Sequence, residues 1–314
     1  MAELSDQLLV VAILGYLAAM LGYAAEYSFG TRGAVARAAE RELVGAGGPP
    51  VVLEKVAPPR TSDLSEKAGR IAVWLTVAAV VAHLATVLTR AFAAGRVPWG
   101  NMYEFVVTVG LVGAVTWTVL LWRRPAVRPL GLFVALAQVL LLGAAGMVLY
   151  TPVTPLVPAL NSYWLVIHVS AAVTASGIFL VGFVASVLHL LRSGWEDGKT
   201  GFPYQLASRV PGADALERLA FRVHAFAFPI WTLAIMCGAI WAEAAWGRYW
   251  GWDPKEIWSF IAWVVYAGYL HARATPSVKR RTATWLAIAG WVTMMVNLFG
   301  VNLVISGLHS YAGV

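Results

Sequence analysis

Cysteine occurs once in the 314 residues, at Cys237. A single thiol excludes an internal disulfide, a CxxC redox pair and a cysteine-built zinc site. The chain has no CxxCH, so it is not itself a cytochrome of the c type. It also lacks HExxH, which leaves a metal-dependent lipid-modifying enzyme without support. Charge is scarce: only 12% of the residues are Asp, Glu, Lys or Arg, against 60% hydrophobic, and the mean hydropathy is +0.70. No soluble domain of this size needs so much apolar surface. The net charge of +7 does not point to nucleic acid, because the basic residues are spread through short connections.

What the chain has instead is a series of apolar runs long enough to cross a bilayer as helices. Eight spans are expected, at roughly 7–26, 70–91, 102–122, 130–150, 163–191, 223–244, 257–273 and 283–306. The fold class is therefore all-α, a polytopic helical bundle. The first run lacks the basic start of a signal peptide, having Glu3 and Asp6 there, and is expected to remain as a helix. Eight spans put both termini on one side. Of the 23 Lys and Arg residues, 19 fall in the connections after spans 1, 3, 5 and 7; the other face holds Arg90, Arg96, Arg248 and Lys255. By the positive-inside rule the 19 are cytoplasmic and both termini are extracytoplasmic. Residues 1–70 read as one helix plus a flexible cytoplasmic link rich in Gly and Pro, and 71–314 as the main transmembrane domain. An interfacial helix is expected near 213–222, with Leu216, Leu219 and Ala220 on one face.

One outward stretch, WAEAAWGRYWGWDPKEIW at 241–258, holds Trp241, Trp246, Trp250, Trp252 and Trp258, five of the 15 tryptophans. An aromatic belt at the lipid–water boundary needs about one or two rings per helix end. Five rings interleaved with Gly247 and Gly251 read instead as a flat shelf of indoles, suited to a large planar ligand.

Six histidines remain to be sorted, since ionisable groups at membrane depth are costly and each is a functional candidate. His168 and His309 lie near the outer ends of spans 5 and 8 and share a face with the tryptophans. Two readings stand: an axial pair for heme iron, or interfacial histidines satisfied by water. His83 lies well inside span 2 and needs a partner; His271 closes span 7 in the inner half of the bilayer. Either the two approach one depth and ligate something together, or His83 is a hydrogen-bonded core histidine. His189 and His224 sit at cytoplasmic helix ends, where water is cheap to reach. Glu104, in NMYEF at the start of span 3, calls for a wet cleft, a cation or the helix dipole. Asn297 and Asn302 are expected to bond across helices.

WGRYWGWDPKEIW followed by YLHAR resembles the tryptophan-rich signature of heme-handling membrane proteins, closely that of the CcsA (ResC) family of system II cytochrome c biogenesis and more distantly that of CcmC and CcmF. NMYEF, YWLVIHVS and GLHSYAG resemble further segments of the family, and the likeness runs from about residue 71 to 314. The resemblance implies heme b as a carried substrate, with His168 and His309 as its axial ligands. Trp246, Trp250, Trp252 and Asp253 would hold the porphyrin, within the Trp241–Trp258 segment. His271 would ligate heme in transit, completed by a CcsB/ResB-like membrane partner or by His83. Arg248 and Lys255 are candidate propionate partners. Apocytochrome c, heme and membrane lipid are the implied partners, nucleic acid is not, and the bacterial cytoplasmic membrane is the implied location. No residue reads as a dedicated nucleophile; the chain would position heme for thioether formation with the two cysteines of CxxCH. A b-type electron carrier, with histidine pairs at two depths, and a transporter with an aromatic gate are the competing readings.

Overall fold

The computed structural model describes residues 1–29, 61–156 and 158–309. Eight long helices carry the fold: α1 (Ala2–Phe29), α2 (Thr61–Ala94), α3 (Met102–Arg123), α4 (Gly131–Val148), α5 (Tyr163–Glu196), α6 (Ala213–Trp246), α7 (Pro254–Ala274) and α8 (Arg280–Met295). α8 runs on through a π-helical turn, Val296–Gly300, into a last turn, Val301–Val304. No strand occurs among the described residues. All the helices but α7 carry an apolar stretch long enough to cross a membrane, and α7, at 21 residues, completes the eight. The eight expected spans are thus the eight helices. The flexible link expected before residue 70 lies largely outside the described residues; α2 itself is unbroken from Thr61.

Helix ends follow local chemistry. Asn101 caps α3 by accepting from the Glu104 N–H at 2.9 Å, and Ser162 caps α5. Asp253 and Glu256 form a capping box at α7, with Pro254 in the first position. Gly247 closes α6 in the left-handed conformation, φ +69, and returns its N–H to Glu243.

α5 is the axis of the bundle. Of its most apolar stretch 83% is buried, against at most 56% in any other span. It packs most extensively on α6, and also on α3 and α8. α1 and α2 form a tight antiparallel pair that packs on α4 and α3. A Cβ added at Gly15 would come within 2.9 Å of Ala79, and one at Gly22 equally close to Ala72, so small residues set this approach.

Three expectations need correcting. His189 and His224 do not reach water: both are buried, His189 bonded to the Thr284 hydroxyl at 2.8 Å and His224 donating to the Ala220 carbonyl at 2.7 Å. Residues 213–222 are the first turns of α6 rather than a separate interfacial helix. Leu216, Leu219 and Ala220 are buried in the main core, and the buried Glu217 pairs with Arg273 of α7. Packing against the bundle, rather than against headgroups, claims that apolar face. Asn302 donates to the Leu298 carbonyl of its own helical segment at 2.6 Å, not to a neighbouring helix.

Candidate functional site

At the outer end, α5, α6, α7 and the C-terminal segment enclose a cavity of about 840 Å³, counting the part open to solvent. His168, His309, Trp241, Trp246, Trp250 and Lys255 all line it.

His168 stands in the second turn of α5. Its Nδ1–H donates to the Ala234 carbonyl of α6 at 2.7 Å, which in the neutral ring makes Nε2 the lone-pair nitrogen. Gly238, one turn along α6 from Ala234, makes the room: a Cβ there would lie 2.7 Å from the imidazole. The ring stacks on Trp241, centroids 5.9 Å apart and planes 9° apart.

His309 reaches the same cavity from outside the helices. Its Nδ1–H donates to Asp253 Oδ1 at 2.7 Å, and the Leu308 N–H donates to Oδ2 of the same carboxylate, also at 2.7 Å. The imidazole packs edge-on against Trp241 and Trp246, at 5.7 and 5.1 Å. Burial alone would raise the Asp253 carboxyl, but the bonds from His309 and Leu308 outweigh it and hold the acid below its ordinary range. Both histidines therefore present the arrangement common to metal-ligating imidazoles, with Nδ1–H parked on a protein oxygen.

The tryptophan loop is built around Glu256. Its Oε2 accepts from the Gly251 N–H at 2.8 Å and the Asp253 N–H at 3.0 Å, and Oε1 pairs with Arg248 at 3.4 Å. Trp252, between those two amides, has φ +58, a strained conformation for a residue with a side chain. It is 62% exposed and stands edge-on to Trp250 at 89°. The expected flat shelf is not formed. Trp241 and Trp246 meet at 64°, and edge-to-face packing suits the ring quadrupoles better than a coplanar sheet. The rings make corners of a chamber instead.

The other singled-out residues lie away from the chamber wall. Arg248 faces Glu256, Asp253 stands behind His309, and Trp258 is half-buried on α7. His83 is fully buried: its Nε2 donates to the Val107 carbonyl at 2.9 Å and its Nδ1 accepts from Tyr16 Oη at 3.3 Å. His271 is exposed on the last turns of α7. The fold does not bring these two together. Lys255 Nζ, on the chamber wall, donates to the Asn297 carbonyl in the π-helical turn at 3.0 Å.

Glu104 has its cations. Arg90 bonds it at 3.0 Å and Arg96 at 2.8 Å, and the Gly100 N–H adds a third contact at 2.8 Å. The same arginines donate to the carbonyls of Thr151 and Thr154, at 2.5 and 3.2 Å. The cluster thereby ties α2 and α3 to the connection that leads into α5 and His168.

Several wall residues were not singled out from sequence, among them Gly238, Ser176, Trp231 and Met294. Each is an ordinary residue of an apolar span, and nothing local marks it.

The family model described as cytochrome C assembly protein matches residues 99–309. The cytochrome c biogenesis protein CcsA of Guillardia theta is 34% identical over 242 residues, covering 71% of this chain and 79% of that protein. CcsA of Synechococcus sp. (strain CC9311) is 35% identical over 275 residues, covering 79% and 90%. CcsA of Porphyra purpurea is 29% identical over 296 residues, covering 83% and 92%. Among solved structures, the cytochrome c heme lyase CcmF superposes with a TM-score of 0.59 at 15% identity, over 95% of this chain. The chain spans 46% of that protein's length, and the likeness is one of fold.

Proposed function

The chain belongs to the cytochrome c assembly protein family, and from that premise we propose how its outer chamber serves cytochrome c biogenesis. The chain is a multi-pass membrane subunit of that process. In our reading its cargo is heme b, held in the chamber by His168 and His309 and presented to the two thiols of an apocytochrome c CxxCH motif. A CcsB/ResB-like membrane protein is the proposed partner, in the bacterial cytoplasmic membrane.

One observation carries this reading: two histidines from distant parts of the chain open on one chamber, each with its Nδ1–H already committed to a protein acceptor. That donor set suits an iron that needs two axial nitrogens and no open coordination position. Bis-histidine ligation blocks oxygen chemistry at the metal, which suits a carrier. Lys255 is the proposed propionate partner, since it lies on the wall while Arg248 is paired with Glu256. The tryptophans exclude water and fix the macrocycle, so that attack by the substrate's thiolates becomes effectively intramolecular. His271, exposed on α7, is proposed as one half of an inner heme site completed by the partner. His83 is set aside, because both of its ring nitrogens are engaged. An electron carrier needs a second ligand pair at another depth, and that engagement removes His83 as a member of one.

The test is the absorption spectrum of the protein purified with its partner and heme supplied. Substitution of His168 or His309 should abolish the six-coordinate spectrum, and substitution of His83 should leave it intact. A colourless wild-type protein overturns the proposal.

A further inference from the structure

The end of α6 opposite the chamber borders a second cavity, of about 720 Å³ counting the part open to solvent. One wall is the turn after α3, with Arg124, Pro125 and Val127; the other is the start of α6, with Ala215, Leu216 and Leu219. Leu216 and Leu219 are buried in the main core, so the floor is apolar. The rim is basic. Arg124 lines the cavity and Arg123 precedes it, while Arg218 and Arg222 follow Ala215 and Leu219 at the i,i+3 spacing of neighbours on a helix surface. All four arginines are exposed, and none of their guanidinium groups bonds to protein among the described residues. Asp214, about 100° round the helix from Ala215, pairs with none of them. At the same end Arg192, Arg209, Arg273 and Arg281 each hold a carboxylate or a backbone carbonyl. Charge that only orients a helix in the membrane needs the right side of the bilayer. It does not need an apolar cavity between free guanidinium groups.

The face of α6 beside that floor continues along the helix. Ala215, Arg222, Phe226 and Leu233 recur at helical spacing and share it, and Phe226 and Leu233 are 65% and 49% exposed. From Arg222 to Leu233 the helix advances about 16 Å, roughly half of a hydrocarbon core of about 30 Å. The face has the profile of one leaflet, with cations at headgroup level and bare apolar side chains below. Trp122, 80% exposed and directly before Arg123 and Arg124, is the amphipathic ring that suits such a boundary.

We propose that this cavity binds an anionic phospholipid of the adjoining leaflet, with Arg124, Arg218 and Arg222 around the phosphate and the acyl chains along Phe226 and Leu233. The guanidinium fork matches phosphate oxygens in shape as well as charge. A zwitterionic headgroup carries its own cation, so the basic rim selects a lipid of net negative charge. The site lies at the far end of α6 from the chamber, and the inference does not depend on the heme reading.

The experiment takes the full chain in a non-ionic detergent, adds dioleoylphosphatidylglycerol or dioleoylphosphatidylcholine at equal concentration, and reads the bound lipid by native mass spectrometry. The wild type should keep phosphatidylglycerol under collisional activation that strips phosphatidylcholine. Arg218→Gln combined with Arg222→Gln should lower that retention on the order of 10-fold. Ala215→Glu, which places an acid on the exposed wall, should cause a comparable loss. Arg70→Gln combined with Lys279→Gln removes the same charge from exposed positions that do not line the cavity, and should retain the lipid. Equal retention of the two lipids by the wild type overturns the inference. So does an equal loss in the Arg70 and Lys279 pair, which would reduce the effect to overall charge. Displacement of the bound phosphatidylglycerol by equimolar heme would assign the cavity to heme and overturn it likewise.

Discussion

His83 and His168 are both histidines inside apolar helices, and the fold treats them in opposite ways. His83 sits between α1, α2 and α3 with a partner on each ring nitrogen, Tyr16 on one side and the Val107 carbonyl on the other. His168 commits one nitrogen to the Ala234 carbonyl and turns toward a chamber. What separates them is what the second nitrogen meets: His83 spends both on protein, whereas His168 spends the first to orient the second beside a chamber. His271 makes a third case, exposed on the last turns of α7.

The sharpest way to break this comparison is His168→Leu, which should eliminate the six-coordinate heme spectrum while the protein still inserts and purifies. Gly238→Ala should come next. The new methyl lies 2.7 Å from the His168 ring, so the imidazole must swing and the spectrum should shift to a weakened or five-coordinate form. His83→Leu should act on the other side of the contrast. It strands a buried Tyr16 hydroxyl, so thermal melts should report a loss of about 1–3 kcal/mol with heme ligation unchanged. The smallest effect belongs to His271→Leu in the chain without its partner, where stability should change by less than about 0.5 kcal/mol. A large loss there would mean that His271 is a structural residue of this chain.

The eight helices were legible because bilayer thickness imposes a long, apolar, uninterrupted run. The composition of the site was legible as well. His168, His309 and the tryptophans are rare residues in places where an ordinary span has none. Their arrangement was not. Ring-to-ring angles depend on which helices meet, so a flat shelf and a corner-walled chamber have the same sequence. The partners of Glu104 lie 14 and 8 residues before it, on the far side of a turn, and only the folded hairpin brings Arg90 and Arg96 onto it. Gly238 gives no sign of its task, because the ring it accommodates is on another helix. The choice between Arg248 and Lys255 also needed coordinates, since Glu256 takes one and leaves the other on the wall.

The widened turn at Val296–Gly300 acts as an angular device. One surplus residue in a helix rotates everything downstream by about 100° around the axis. The bearing from which Gly307, Leu308 and His309 set off toward the tryptophan loop is therefore written ten residues earlier, in a segment that touches none of them by sequence. Removing a single residue there would point the terminus at a different quarter of the rim, and Lys255 would lose the carbonyl it rests on.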